Sequence, residues 1–189
     1  MFQIPFSTTI YESEEVQGLK FPILAKPREG LDHQHLFIAK KEQFDDRLAK
    51  GKCPEFLQEF VRHDGIVHKV YVVRDLIAIV QRHSIRLEKF SKDEKPKKFL
   101  TANISGYKKR LKIRSKHGLD LKIMYEMVTR IRDSTDLQLF TIDIIIERET
   151  NKHFLLDINS LLRIREHESA TLYNLLSRLK SRLLANKKM

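Results

Sequence analysis

Two short, almost wholly apolar runs constrain the fold of this 189-residue chain more than any other feature: Leu139-Phe-Thr-Ile-Asp-Ile-Ile-Ile146 and His153-Phe-Leu-Leu-Asp-Ile-Asn159. Both are rich in β-branched and aromatic residues, and both are far shorter than the ~20 apolar residues that span a bilayer. They read as two strands, apolar on both sides and paired across the turn between them. Each nevertheless holds a carboxylate, Asp143 or Asp157, where an unpaired charge costs on the order of several kcal/mol. A fold containing these strands has to give the two acids a partner.

The other elements follow from periodicity. Phe21-Pro-Ile-Leu-Ala-Lys26 is an apolar strand ending in a lysine, and His35-Leu-Phe-Ile-Ala39 is a second. Pro27-Arg-Glu-Gly-Leu-Asp-His33 connects them with the Pro and Gly of a tight turn. Phe44 and Leu48 stand one helical turn apart in a charged segment. Glu55-Phe-Leu-Gln-Glu-Phe-Val61 is a third strand. His68-Lys-Val-Tyr-Val-Val73 and Leu76-Ile-Ala-Ile-Val-Gln-Arg82 follow a turn at His63-Asp-Gly65. Residues 86–118 are dense in Lys and Arg, hold Pro96, Gly106 and Gly118, and read as a long loop or surface insertion. Met124, Met127, Val128 and Ile131 mark one face of a helix. Leu172, Leu175, Leu176, Leu179 and Leu183 mark the apolar face of a closing one. This order is neither an alternation of strands and helices nor a run of strands alone, and it argues an α+β fold in two lobes.

Composition narrows the function. Lys and Arg exceed Asp and Glu by 36 to 25, a net charge of +11, so an anionic partner is expected. No basic stretch is interleaved with aromatics as a stacking platform for single strands would be, and there is no Trp. No apolar run approaches a membrane span, and the opening Met1-Phe-Gln-Ile-Pro-Phe-Ser lacks the basic flank and apolar core of a signal peptide. A single cysteine, Cys53, excludes an internal disulfide framework and fits a reducing cytosol. Neither GxGxxG nor GxxxxGK[ST] occurs, so a nucleotide would be held by side chains and ordinary strand backbone.

Asp157 and Asn159 are two residues apart on a strand and project from one side. With Asp143 across the hairpin they form a set of hard oxygen donors suited to a Mg²⁺ that keeps part of its water. Lys26, Lys69 and Arg82 are isolated basic residues at strand positions. Any one alone is explained by snorkelling, but three ahead of an acidic pair point to phosphate. His33 and His35 flank Gln34 with only Asp32 beside them, which supports a zinc site poorly. The basic run Lys108-Lys-Arg-Leu-Lys-Ile-Arg-Ser-Lys116 reads as a solvated loop able to attract a polyphosphate.

Taken in order, these blocks resemble the inositol 1,3,4-trisphosphate 5/6-kinase family, the inositol-tetrakisphosphate 1-kinases. The blocks are Phe21-Pro-Ile-Leu-Ala-Lys-Pro27, Asp32-His-Gln34, Phe56-Leu-Gln-Glu-Phe-Val-Arg-His63, His68-Lys-Val-Tyr-Val-Val73, Val80-Gln-Arg-His-Ser84, Leu139-Phe-Thr-Ile-Asp-Ile-Ile145 and Leu156-Asp-Ile-Asn159. The resemblance implies an ATP-grasp fold, α+β, with two lobes of mainly antiparallel sheet and flanking helices and the nucleotide between them. The small lobe would be residues 1–61 and the C-terminal lobe residues 62–189, with the basic insertion at about 86–118. It implies a cytoplasmic, monomeric kinase that passes the γ-phosphoryl group of ATP to an inositol polyphosphate, without nucleic-acid or membrane partners.

By position, the resemblance puts Lys26 and Lys69 on the ATP phosphates, and Lys69 on substrate as well. Gln58, Glu59 and Phe60 form the adenine hinge. Ser84, Thr101 and Ser105 are further nucleotide contacts, His33, Arg82 and Asn159 meet the inositol phosphate, and Asp143, Asp157 and Asn159 hold Mg²⁺. Lys69 and His33 are the catalytic candidates. Three departures bear on the acceptor. The chain starts too late for the family's N-terminal domain, the glycine-rich stretch is cut to Pro27-Arg-Glu-Gly-Leu-Asp32, and Ser160-Leu-Leu-Arg-Ile-Arg165 replaces an aromatic-Pro-Gly segment. A module that binds ATP or polyphosphate without turnover is the alternative. An ATP-grasp ligase and a nucleic-acid binder built on residues 86–118 stand behind it.

Overall fold

Alternating apolar strands without parallel crossovers favour antiparallel ladders, and the chain forms two. In the computed structural model, described for residues 1–5, 7–10, 18–27, 34–49, 55–84, 97–100, 118–160 and 169–185, the first sheet has five strands. Their order is β1 (Ser7–Ile10), β4 (Glu55–Glu59), β2 (Ile23–Pro27), β3 (Gln34–Ile38) and β7 (Lys97–Leu100). The second sheet has the order β6 (Leu76–His83), β5 (Ile66–Val73), β8 (Leu139–Ile146) and β9 (His153–Asn159). His33, Cys53, Thr101, Ser105 and the run from Lys108 to Lys116 lie outside the described residues.

Helix α1 (Lys41–Ala49) packs Phe44 onto Ile23, Ala25, Leu36, Ile38 and Leu57 of the first sheet. Helix α2 (Leu121–Thr135) is shaped by its ends. The Asp120 carboxylate accepts from the backbone N–H groups of Lys122 and Ile123 at 2.8 and 3.3 Å. At the other end Asp136 turns left-handed at φ 55° and donates its N–H to the Arg132 carbonyl. The expected stripe of Met124, Met127, Val128 and Ile131 is buried against Val70, Val72, Phe140, Ile142 and Ile144. At roughly 1.5–3 kcal/mol for each fully buried large apolar side chain, this contact anchors the second sheet.

Helix α3 (Ser169–Ala185) covers part of the opposite face, with Leu175 buried against Tyr71, Val73 and Leu76. Leu176, expected on the apolar face, is 46% exposed, because α3 rests on the sheet through Leu175 and Leu179 alone among the described leucines. The face under α3 is therefore divided: apolar where the helix lies, charged beyond it.

The N-terminal segment and the stretch after β4 both run between the sheets. The N-terminal segment runs parallel to β9, where Gln3 donates to the His153 carbonyl and accepts from Leu155 N–H, both at 2.9 Å, before β1 joins the first sheet. The linker of residues 60–65 ends at Gly65, whose φ of 74° a side chain would strain. Its carbonyl accepts from Ser84 N–H at 2.7 Å.

One expectation is corrected. Within the basic stretch read as a loop, Lys97–Leu100 forms a strand that pairs antiparallel with β3, Phe37 opposite Lys97 through Gln34 opposite Leu100. Backbone pairing to a distant edge, rather than any apolar alternation of its own, makes it a strand. Residues after 62 thus also contribute to the first sheet.

Candidate functional site

Register places the charged residues of the second sheet. Lys69 pairs with Asp143 and Asp143 with Asp157, so with Val80 they form a single row across four strands. The next row on the same face is Ala78, Tyr71, Thr141 and Asn159. Immediately past Asp143 the β8–β9 register shifts, so that Ile144 faces Leu155 and Leu156 is the extra residue. A bulge of this kind bends the strand and re-aims the side chains beside it.

Within the rows, Lys69 Nζ stands 3.3 Å from Asp143 Oδ1, the lysine almost wholly buried and the acid partly so. Asn159 Nδ2 donates to Asp157 Oδ2 at 2.9 Å, which commits one N–H of the amide and leaves the amide oxygen as a donor for a cation. Arg82 donates to the Tyr71 hydroxyl at 3.1 Å, and Lys69 Nζ lies 5.9 Å from the centre of the Tyr71 ring. Burial pushes the Asp143 carboxyl above its usual range. Lys69 and Arg82 pull it back, and the like charge of Asp157 adds to the rise.

The first sheet reaches toward the same face. Lys26 Nζ donates to Gln58 Oε1 at 2.8 Å and lies 5.6 Å from the centre of the Phe56 ring. Gln58 Nε2 makes a long 3.5 Å contact to the carbonyl of Leu156, the bulge residue, so the side chain links the two sheets. Burial lowers the Lys26 pKa, while the charges of Asp157 and then Asp143 oppose the fall, which puts this ammonium in the field of the acid pair.

Glu59 Oε1 accepts from Lys20 N–H at 2.9 Å, and Phe60 N–H is committed to the Pro22 carbonyl at 2.9 Å. Any base held at this linker would therefore use other atoms of Phe60. Phe60 itself is wedged against Phe37 and His63, with ring centres 5.6 Å apart in both pairs.

Two carboxylates in direct register and one carboxamide on the same face fit a hard divalent cation that completes its shell with water or phosphate oxygens. Among the described residues no three His, Cys, Asp or Glu side chains come together. The donors Asp143, Asp157 and the Asn159 carboxamide are all oxygens, a set that suits Mg²⁺ better than zinc. A model of the inositol 1,3,4-trisphosphate 5/6-kinase ATP-grasp domain matches residues 3–166. The chain belongs to this family.

Within the family, inositol-tetrakisphosphate 1-kinase 1 of Arabidopsis thaliana is 29% identical over 178 residues, 84% of this chain and 55% of the relative. Inositol-tetrakisphosphate 1-kinase 3 of Glycine max is 31% identical over 158 residues, 75% of this chain and 42% of the relative. The Danio rerio inositol-tetrakisphosphate 1-kinase is 27% identical over 153 residues, 76% and 38% respectively. The chain spans about half the length, or less, of the curated relatives it matches.

Among solved structures, the ATP-grasp ligase PsnB, complexed with precursor peptide PsnA2 and AMPPNP, superposes with a TM-score of 0.60. It is 17% identical and covers 100% of this chain and 55% of that one. N5-carboxyaminoimidazole synthetase from Staphylococcus aureus complexed with ADP gives a TM-score of 0.56 at 14% identity, over 90% of this chain and 43% of that one. At such identities the likeness establishes the ATP-grasp fold.

In this inositol-phosphate kinase-family domain, Lys69, Asp143, Asp157 and Asn159 come together in two adjacent rows, with Lys26 and Gln58 reaching in and Arg82 tethered through Tyr71. Ser84 sits at the end of β6, bonded to Gly65. Tyr71 and Thr141, both on the charged face, escape the sequence reading, although stepping two residues from Lys69 and from Asp143 reaches them.

Proposed function

We propose that this chain is the ATP- and Mg²⁺-binding part of an inositol polyphosphate kinase, a monomeric cytoplasmic enzyme that transfers the γ-phosphoryl group of ATP to a hydroxyl of a small inositol polyphosphate. Family membership supports the reading. The observation that carries it is the single row Lys69, Asp143, Asp157, approached from the other sheet by Lys26 and Gln58. Asp143, Asp157 and the Asn159 carboxamide oxygen would hold Mg²⁺, which when bound neutralises charge on the β- and γ-phosphates.

Lys26 and Lys69 offset the remaining phosphate charge. Lys69 is nearly buried and already fixed by Asp143, so its ammonium needs little reorganisation during the reaction. Gln58, Glu59 and Phe60 border the adenine, with Ser84, Thr101 and Ser105 as further nucleotide contacts. Arg82, steadied by the Tyr71 hydroxyl, orients the inositol phosphate with His33 and Asn159. Phosphoryl transfer asks little covalent chemistry of the protein, so positioning and charge carry the rate. The net charge of +11 concentrates two polyanions at one cleft.

Incubation with γ-labelled ATP, Mg²⁺ and a panel of inositol tris- and tetrakisphosphates tests the reading. Label should pass to an inositol phosphate, and Asp157→Ala should abolish transfer without changing the circular dichroism spectrum. Transfer that survives this substitution contradicts the metal assignment. A second reading, nucleotide binding without turnover, is favoured by the shortened stretch Pro27-Arg-Glu-Gly-Leu-Asp32 and by Ser160-Leu-Leu-Arg-Ile-Arg165 in place of an aromatic-Pro-Gly segment. Its mark is calorimetric binding of Mg·ATP with no label transferred to any acceptor in the panel.

A further inference from the structure

Thr141 is fully buried, and its hydroxyl oxygen meets no hydrogen-bond partner. It stands in the second row of the charged face, directly opposite Tyr71 on one side and Asn159 on the other. A buried hydroxyl left unpaired is a net cost to folding. Valine would fill almost the same volume on a strand without that cost. The hydroxyl is therefore the feature of Thr141 that packing does not account for.

Asn159 supplies an account. Its Nδ2 donates to Asp157 Oδ2 at 2.9 Å, so the acceptor that orients the carboxamide is itself one of the carboxylates placed on the cation. A divalent ion that draws on that carboxylate weakens it as an acceptor, and the carboxamide has a second N–H to place on another one. Directly opposed side chains have Cβ atoms about 4.5–5.5 Å apart, which brings the Thr141 hydroxyl within reach of the Asn159 amide. Resting on the metal reading above, we infer that Thr141 is a positioning residue: its hydroxyl oxygen accepts a hydrogen bond from Asn159 Nδ2 and holds the Asn159 oxygen toward the bound cation.

The test pairs metal-dependent ADP binding, followed by calorimetry across a Mg²⁺ series, with thermal unfolding of the metal-free chain. Thr141→Val should unfold at the same or a higher temperature, because an unpaired hydroxyl is gone. It should also need about fivefold to tenfold more Mg²⁺ for half-maximal ADP binding, the worth of one lost hydrogen bond. Thr141→Ser should bind as the parent does. With Asn159→Ala already present, Thr141→Val should add nothing. Should valine disturb the fold, Thr141→Ala against Thr141→Ser repeats the comparison, since both lack the methyl and only serine keeps the hydroxyl. An unchanged Mg²⁺ requirement in the hydroxyl-free variant, or an equal shift in the Asn159→Ala background, overturns the role of Thr141 alone. Parent ADP binding that is indifferent to Mg²⁺ overturns the metal reading, and this inference with it.

Discussion

Asp143 and Asp157 stand directly opposite one another on β8 and β9, two like charges in one register pair, and the β-bulge begins at the next residue. Like charges so placed disfavour a sheet. The arrangement holds because Lys69 pairs with Asp143 from β5 and Lys26 approaches from the other sheet. The crowding of like charge costs the fold some stability, a cost that the proposed cation would relieve.

The Asp143 titration reports this balance. Burial is the main cause of its raised pKa, with Asp157 adding to the rise and Lys69 opposing it. Asp157→Asn should therefore move the Asp143 pKa down, and Lys69→Met should move it up, as followed by carbon-13 NMR of the carboxyl group. The folded carboxyl holds its proton more tightly than the unfolded one. Its contribution to stability is present at low pH and is lost as pH rises from the ordinary value of 3.8 through the raised one. Asp143→Asn should remove that decline.

On the other face, burial and the neighbouring His153 hold His68 down from 6.5 to about 4. Above pH 6.5 the ring is neutral in both folded and unfolded chains. As pH falls from 6.5 to about 4 only the unfolded chain gains the proton, so stability drops across that window, by on the order of 2–3 kcal/mol. Urea unfolding at pH 7, 5.5 and 4 should show the drop, and His68→Gln should flatten it.

The start of α2 rests on two contacts. The Asp120 carboxylate caps the helix, and its backbone N–H donates to His153 Nε2 at 2.9 Å. Asp120→Ala should cost about 1 kcal/mol and lower Tm by roughly 2–4 °C, with ADP binding unchanged. A loss of binding would show that α2 is coupled to the charged face on the far side of the sheet.

Gln58 joins Lys26 to the bulge carbonyl of Leu156. Gln58→Leu frees the ammonium from its tether, so ADP affinity should fall about fivefold to tenfold. The Mg²⁺ concentration for half-maximal binding should stay the same, because the donors on β8 and β9 are untouched. A shift in Mg²⁺ requirement of the same size would place Gln58 in the metal site instead.

Much of this fold is legible in the sequence. Strands β8 and β9 begin and end where their apolar runs do, and α2 buries the four residues that its period marks. Alternation alone puts Asp157 beside Asn159. Other parts depend on distant partners and leave no local trace. Ser7–Ile10 is an edge strand defined by pairing with β4, and Lys97–Leu100 is one defined by pairing with β3. The bulge after Asp143 is a mismatch between two strands that neither strand encodes alone, and through it the Leu156 carbonyl meets Gln58. Thr141 looks like an ordinary strand residue until its hydroxyl is found buried without a partner.

The central claim is that the row of Lys69, Asp143 and Asp157 binds a nucleotide through a divalent cation. Calorimetric titration of ADP into the parent chain, Asp143→Asn and Asp157→Asn, each with and without Mg²⁺, tests it most directly. The account predicts binding in the parent that depends on Mg²⁺ and weakens by at least about tenfold in either variant. Equal affinity in all three proteins, with or without the metal, would contradict it.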